Sequence, residues 1–165
     1  MRILIVTPYL PHRRVGHGGG SAVRQMILAL ARRHEIAVLA LRRPAERSID
    51  DLGLADAVRV ETVDFTDATA RGPARLELAA RRTVSTLRGW LTGRPPYALK
   101  YDHPPLLSRA RELVDEFAPD VVQVEYLQLT AVAASLRRHR AGGTRPRLVL
   151  DSHEHGALPR RRRAA

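Results

Sequence analysis

The run RILIVT, Arg2 to Thr7, is continuously apolar after its first residue until it stops at Pro8, with no alternation of inward and outward positions. A strand of this kind must be covered on both faces. The same character returns at Ile36 to Leu41, more weakly at Ala57 to Phe65, and again at Val121 to Tyr126 and Arg147 to Asp151. Between these runs the apolar residues fall at helical spacing. Ser21 to Arg33 is expected to be a helix with Ser21 as its N-cap and arginines in its last turn. Helices are also expected over Arg71 to Leu91, over Pro104 to Phe117 with proline near the start, and from about Leu129 to His139. Gly142-Gly143 turns the chain into the last strand. Strands alternating with helices predict an α/β chain with a Rossmann-like, doubly wound, mainly parallel sheet.

The 165 residues suffice for one domain with a real core. Cysteine is absent, which excludes disulfides and thiolate metal sites and fits a reducing, cytoplasmic compartment. The apolar start is short, has no small-residue cleavage site and breaks at Pro8, so it reads as a first strand and not as a signal peptide. No apolar stretch approaches the ~20 residues needed to span a bilayer. The net charge of +11 raises nucleic acid as a partner. Lys100 is the only lysine, Arg160 to Arg163 carry four of the charges in a tail expected to be disordered, and aromatics for base stacking are scarce. The composition therefore argues against nucleic acid, while leaving a phosphate site open.

Ligands of an open parallel sheet bind beyond the carboxyl ends of its strands. Three groups converge on that edge: Gly16-His17-Gly18-Gly19-Gly20-Ser21 after the first strand, Glu125 and Tyr126 after the fourth, and His153 and Glu154 after the fifth. Consecutive glycines allow close approach of a ligand to the main chain, and the following helix turns its free N–H groups toward an anion. A connecting loop with no ligand is the alternative. A dinucleotide fingerprint is not met, because the pattern is G-x-G-x-x-S and Arg42-Arg43 stand where an acidic ribose binder belongs. A Walker loop is absent as well. His153 and His155 lack a third metal ligand, and Asp151-Ser152-His153 cannot converge as a triad because strand neighbours point apart. His153 reads as a polar group of the cleft that hydrogen-bonds a substrate hydroxyl, or as a histidine capping loop backbone.

In the Arg71 to Leu91 helix, Leu76, Ala80, Val84, Leu87, Trp90 and Leu91 share one side, and Arg71, Arg75, Arg81, Arg82 and Arg88 fan over the other. Such a helix packs its apolar side on the sheet, the expectation adopted here, or lies on an anionic membrane. The segment GALPRRRRAA after the last strand cannot form the amphipathic helix that a parallel sheet needs there. The chain is therefore expected to be the N-terminal part of a longer architecture, with residues 1–157 as the domain and 158–165 as a basic tail.

RILIVTPYLP, the glycine-rich loop leading into VRQMILALARRHEIAVLAL, PDVVQVEYLQL and LVLDSHE, taken in order, resemble the N-terminal domain of a family 4 (GT-B fold) retaining glycosyltransferase. The resemblance spans residues 1 to about 157. It implies the N-terminal, acceptor-side half of a GT-B fold. It also implies transfer of a sugar from a nucleotide-sugar donor to a sugar or lipid-linked acceptor, with retention, no cofactor and no obligatory metal. By the same resemblance Gly18, Gly19 and Gly20 would lie beside the donor diphosphate. His153 would contact the transferred sugar near the reacting centre, and Glu125, Tyr126 and Glu154 would bind the acceptor. The donor domain of such enzymes, with its E-x7-E pair, is not in this sequence, so the chain by itself is expected to lack turnover. A competing reading is a non-catalytic Rossmann-like module that binds a phosphorylated ligand or a partner protein.

Overall fold

The computed structural model of the chain describes residues 1–14, 18–49, 52–66, 72–93, 99–140, 142–143 and 145–152. His153, His155, Glu154 and the tail lie outside the described residues. Among the described residues five strands form one all-parallel sheet: β1 (Arg2–Thr7), β2 (Glu35–Arg42), β3 (Arg59–Asp64), β4 (Val121–Glu125) and β5 (Arg147–Asp151). Their order is β3-β2-β1-β4-β5. The α-helices among the described residues include α1 (Gly18–Leu30), α2 (Pro73–Thr92), α3 (Pro104–Phe117) and α4 (Thr130–Leu136). The doubly wound, Rossmann-like class is as the alternation of strands and helices requires.

The central strand explains the layers. Ile3 and Ile5 of β1 point to one face, where with Ile36, Val38 and Ala40 of β2 they meet Val23 and Ile27 of α1. Leu4 and Val6 point to the other, where with Leu39 and Val122 they meet Leu106, Leu113 and Phe117 of α3 and Val132 and Leu136 of α4. The period-2 geometry of the strand divides one continuous apolar run between two cores. Register follows, with Ile5 opposite Val38 of β2 and Gln123 of β4. At the far edge Val149 and Leu150 of β5 remain exposed.

Two expectations are corrected. Ser21 does not cap α1, because the helix already runs from Gly18 and Ser21 lies exposed within it. The arginines Arg32 and Arg33 follow the helix instead of filling its last turn. The glycines are poor helix formers by propensity, yet they form the first turn of α1. Second, α2 does not pack its apolar side on the sheet. It begins at Pro73 and stops at Gly93, whose φ of 65° suits a residue without a Cβ. Between these stops it seats Leu78 and Gly89 inward, while Leu76, Val84, Leu87, Trp90 and Leu91 face out. Leu78 and Gly89 lie on the side opposite that stripe at 100° per residue.

The edge strand β3 is held to α3 by an ion network. Arg109 of α3 donates from Nε to Glu61 at 2.6 Å and from Nη1 to Glu112 and Glu116 at 2.8 Å each, while Arg59 Nη2 reaches Glu116 at 2.7 Å. The hydrogen bond from Arg109, supported by Arg59, holds Glu61 below its ordinary value of 4.5. Hydrogen bonds from Arg109 and then Arg59 bring Glu116 down to about 2. Carboxyls that ionise more readily folded than unfolded stabilise fully above the unfolded value, and that contribution is lost as pH falls through the folded one. Urea midpoints of the parent are therefore expected to drop between about pH 5 and pH 2. The double variant E61Q/E116Q is expected to be less stable at neutral pH and to show a shallower acid leg. Parallel pH profiles of the two proteins would contradict the assignment.

Candidate functional site

The sheet order creates a crevice. From β1 the chain passes to β2 and β3 on one side, then returns to β4 and β5 on the other. Between the carboxyl ends of β1 and β4 the connections diverge, and this is where a doubly wound sheet receives ligands. Thr7 ends β1 there and Pro8 and Tyr9 follow it, Glu125 ends β4 and Tyr126 follows it, and the first turn of α1 is Gly18-Gly19-Gly20.

Gly19 and Tyr126 are in close contact. A Cβ on Gly19 would overlap the Tyr126 hydroxyl and press on Cζ of the ring. Three glycines in a helical turn cost about 1 kcal/mol each against alanine. At Gly19 the lack of a side chain is what admits the tyrosine. Tyr126 itself has φ 69° and ψ 142°, a left-handed extended conformation that a side chain disfavours by about 1–3 kcal/mol. It is fixed there from both sides: its N–H donates to the Asp151 carbonyl of β5 at 2.7 Å, and its ring meets Tyr9 edge to face at 5.2 Å. A strained residue of this kind at a strand end, beside a glycine turn, marks a site.

Glu125 lies directly below and is fully buried. Its side chain shares the α1 face of β4 with Gln123, whose Nε2 donates to the Glu125 carboxylate at 2.6 Å and approaches Met26 Sδ of α1 at 3.2 Å. A carboxylate removed from water needs such hydrogen bonds. The strand-end position of Glu125 is as expected, but its carboxylate sits under the cleft floor and not on its surface. Tyr126 is half-buried and Gly18 exposed at the rim.

A second group, which sequence reasoning missed, flanks the crevice on the β2 side. Arg43, just after β2, places its guanidinium 4.8 Å from the Tyr9 ring centre and 3.6 Å from Glu46. Glu46 accepts the Arg43 N–H at 2.8 Å and faces buried His12 at 3.9 Å. His12 Nδ1 accepts the Arg14 N–H at 3.1 Å, which leaves Nε2 to carry the proton toward Glu46. Tyr101 stacks on Phe65 at 5.3 Å, and burial, then the neighbouring Tyr9, pushes its phenol above 10 against the opposing pull of Arg43. His103 Nε2 lies 3.1 Å from the Asp64 carbonyl at the end of β3. Arg42 turns away to Asp64 at 3.0 Å. The signal was available for Tyr9, His12 and Arg43, which directly follow the first two strands. Tyr101 and His103 come from a segment that no strand-end rule singles out.

Of the residues expected from the sequence, Gly18, Gly19, Gly20, Glu125 and Tyr126 are brought together at one crevice. His153 and Glu154 follow Asp151-Ser152 in the chain and lie outside the described residues. Among the described residues no group of three or more His, Cys, Asp or Glu side chains could hold a metal ion. Comparison of the chain with protein-family models, with curated proteins and with solved structures found no match.

The Gly19–Tyr126 contact makes a sharp prediction. Gly19→Ala is expected to cost about 1–3 kcal/mol in urea unfolding, because the ring must leave its place against Tyr9. Removing the hydroxyl in the double variant G19A/Y126F is expected to restore most of that loss, as a coupled pair requires. Additive effects of the two substitutions would contradict the contact.

Proposed function

We propose that this chain is the acceptor-side part of a retaining glycosyltransferase, acting on a nucleotide-sugar donor and a sugar or lipid-linked acceptor on the cytoplasmic side. The observation that carries the reading is the pairing, at the β1–β4 crevice, of a glycine-built helix start with a tyrosine in strained backbone. The first turn of α1 offers main-chain N–H groups and the positive end of a helix to a diphosphate. Tyr9 and Tyr126 offer aromatic surface beside it, suited to the apolar C–H face of a pyranose ring. Dinucleotide chemistry is less well served, since Arg42 ends β2, Arg43 follows it, and no acidic residue stands in their place.

In this reading Gly18, Gly19 and Gly20 lie along the donor diphosphate, His153 reaches the transferred sugar, and Tyr126 and Glu154 hold the acceptor. Glu125 fixes the end of β4 from beneath through Gln123 and so sets the position of Tyr126. Charge that develops on the departing nucleotide needs basic groups from a donor domain as well as the helix end, so transfer requires both parts.

The reading is tested in the source DNA beyond the codon for Ala165. A nucleotide-binding domain with an E-x7-E pair is expected there, in frame or shifted, and the joined chain is expected to transfer sugar from a nucleotide-sugar. Absence of such a domain, or a joined chain without transfer, overturns the reading in favour of a stand-alone binding module.

A further inference from the structure

We propose that the outward face of α2 is a docking surface for an anionic lipid bilayer. The inference is independent of the sugar-transfer reading. It rests on how α2 sits: Leu78 and Gly89 are buried, and the larger apolar side, opposite them, faces solvent. On that outer side Leu76 is 76%, Trp90 84% and Leu91 86% exposed, with Val84 and Leu87 more than half exposed between them. Five of the eight exposed large hydrophobic residues among the described residues therefore form one stripe on one helix. Isolated exposed leucines need no explanation, but a contiguous stripe marks an interaction surface.

Charge decides between occupants. Placed at 100° per residue, Arg75 flanks the stripe on one side and Arg88 flanks it on the other. Arg88 is oriented by Asp102 at 3.6 Å. A second copy of this chain, itself of net charge +11, would bring these flanking arginines against each other around the apolar contact. Anionic headgroups would instead neutralise Arg75 and Arg88 while the apolar side chains enter the acyl boundary. Arginine stems suit that depth, since they lie along apolar surface with the head in the polar layer, and tryptophan favours the same boundary. No helix among the described residues is long and apolar enough to cross a membrane, so α2 would lie in the plane of the interface.

Trp90 is the only tryptophan in the chain, so its fluorescence reports this face alone. The experiment adds the full chain to vesicles of phosphatidylcholine, or of equal parts phosphatidylcholine and phosphatidylglycerol, and follows emission, iodide quenching and flotation. With anionic vesicles Trp90 emission is expected to move to shorter wavelength, quenching to fall, and the chain to float, all more weakly at high salt. The variant L87Q/L91Q keeps every charge and alters only exposed positions, and circular dichroism checks its fold. It is expected to lose about ten-fold or more in partitioning. Unchanged Trp90 emission with anionic vesicles overturns the proposal. So does equal binding by L87Q/L91Q, which would assign attachment to bulk charge, including Arg160 to Arg163. A blue shift without lipid that grows with protein concentration overturns it in favour of a second copy.

Discussion

Burial of β1 on both faces is the constraint from which the rest follows. Leu4, Ile5 and Val6 have no solvent exposure, and each needs a layer of apolar side chains beyond it. One layer is supplied by α1, and α3 and α4 supply the other. Because successive connections cover opposite faces and β1 is paired on both sides, β2 and β4 leave it in opposite directions. The crevice at the β1–β4 edge is thus a consequence of core packing, available before any side chain is chosen to fill it.

What fills it is costly to hold. Tyr126 keeps a backbone conformation that favours glycine, Gly19 gives up helix propensity to admit its ring, and Glu125 is a carboxylate without solvent contact. A sheet of this size could be closed with a glycine at residue 126 and an apolar residue at 125. Local costs of this kind at one point, next to the end of a helix, are the physical content of the functional reading. The same logic applies to α2, whose outward leucines and tryptophan leave apolar area in water that an inward turn of the helix would have covered.

The strands were legible because a strand buried on both faces must be continuously apolar. Arg147–Asp151 and Pro104–Phe117 have the bounds that their punctuation predicts. Gly18 to Gly20 misled because propensity is local and the contact with Tyr126, more than a hundred residues on, is not. Periodicity identified the apolar side of α2 but carries no information on which side is covered; in the structure Leu78 and Gly89, on the opposite side, are the residues buried. The cluster of Tyr9, His12, Arg43, Glu46 and Tyr101 draws on three separate segments. Only the sheet order brings those segments to one edge, so no spacing in the sequence announces it.

The central claim is that the β1–β4 crevice is where a diphosphate-bearing sugar meets this chain. Its most direct measurement is an amide chemical-shift map of the isotopically labelled protein titrated with a nucleotide-sugar. The account predicts the largest changes at Gly18, Gly19, Gly20 and Tyr126, with little at Arg59, Arg109 or α2. Changes confined to the arginine-bearing surfaces, with Gly19 and Tyr126 unmoved at saturation, would contradict it.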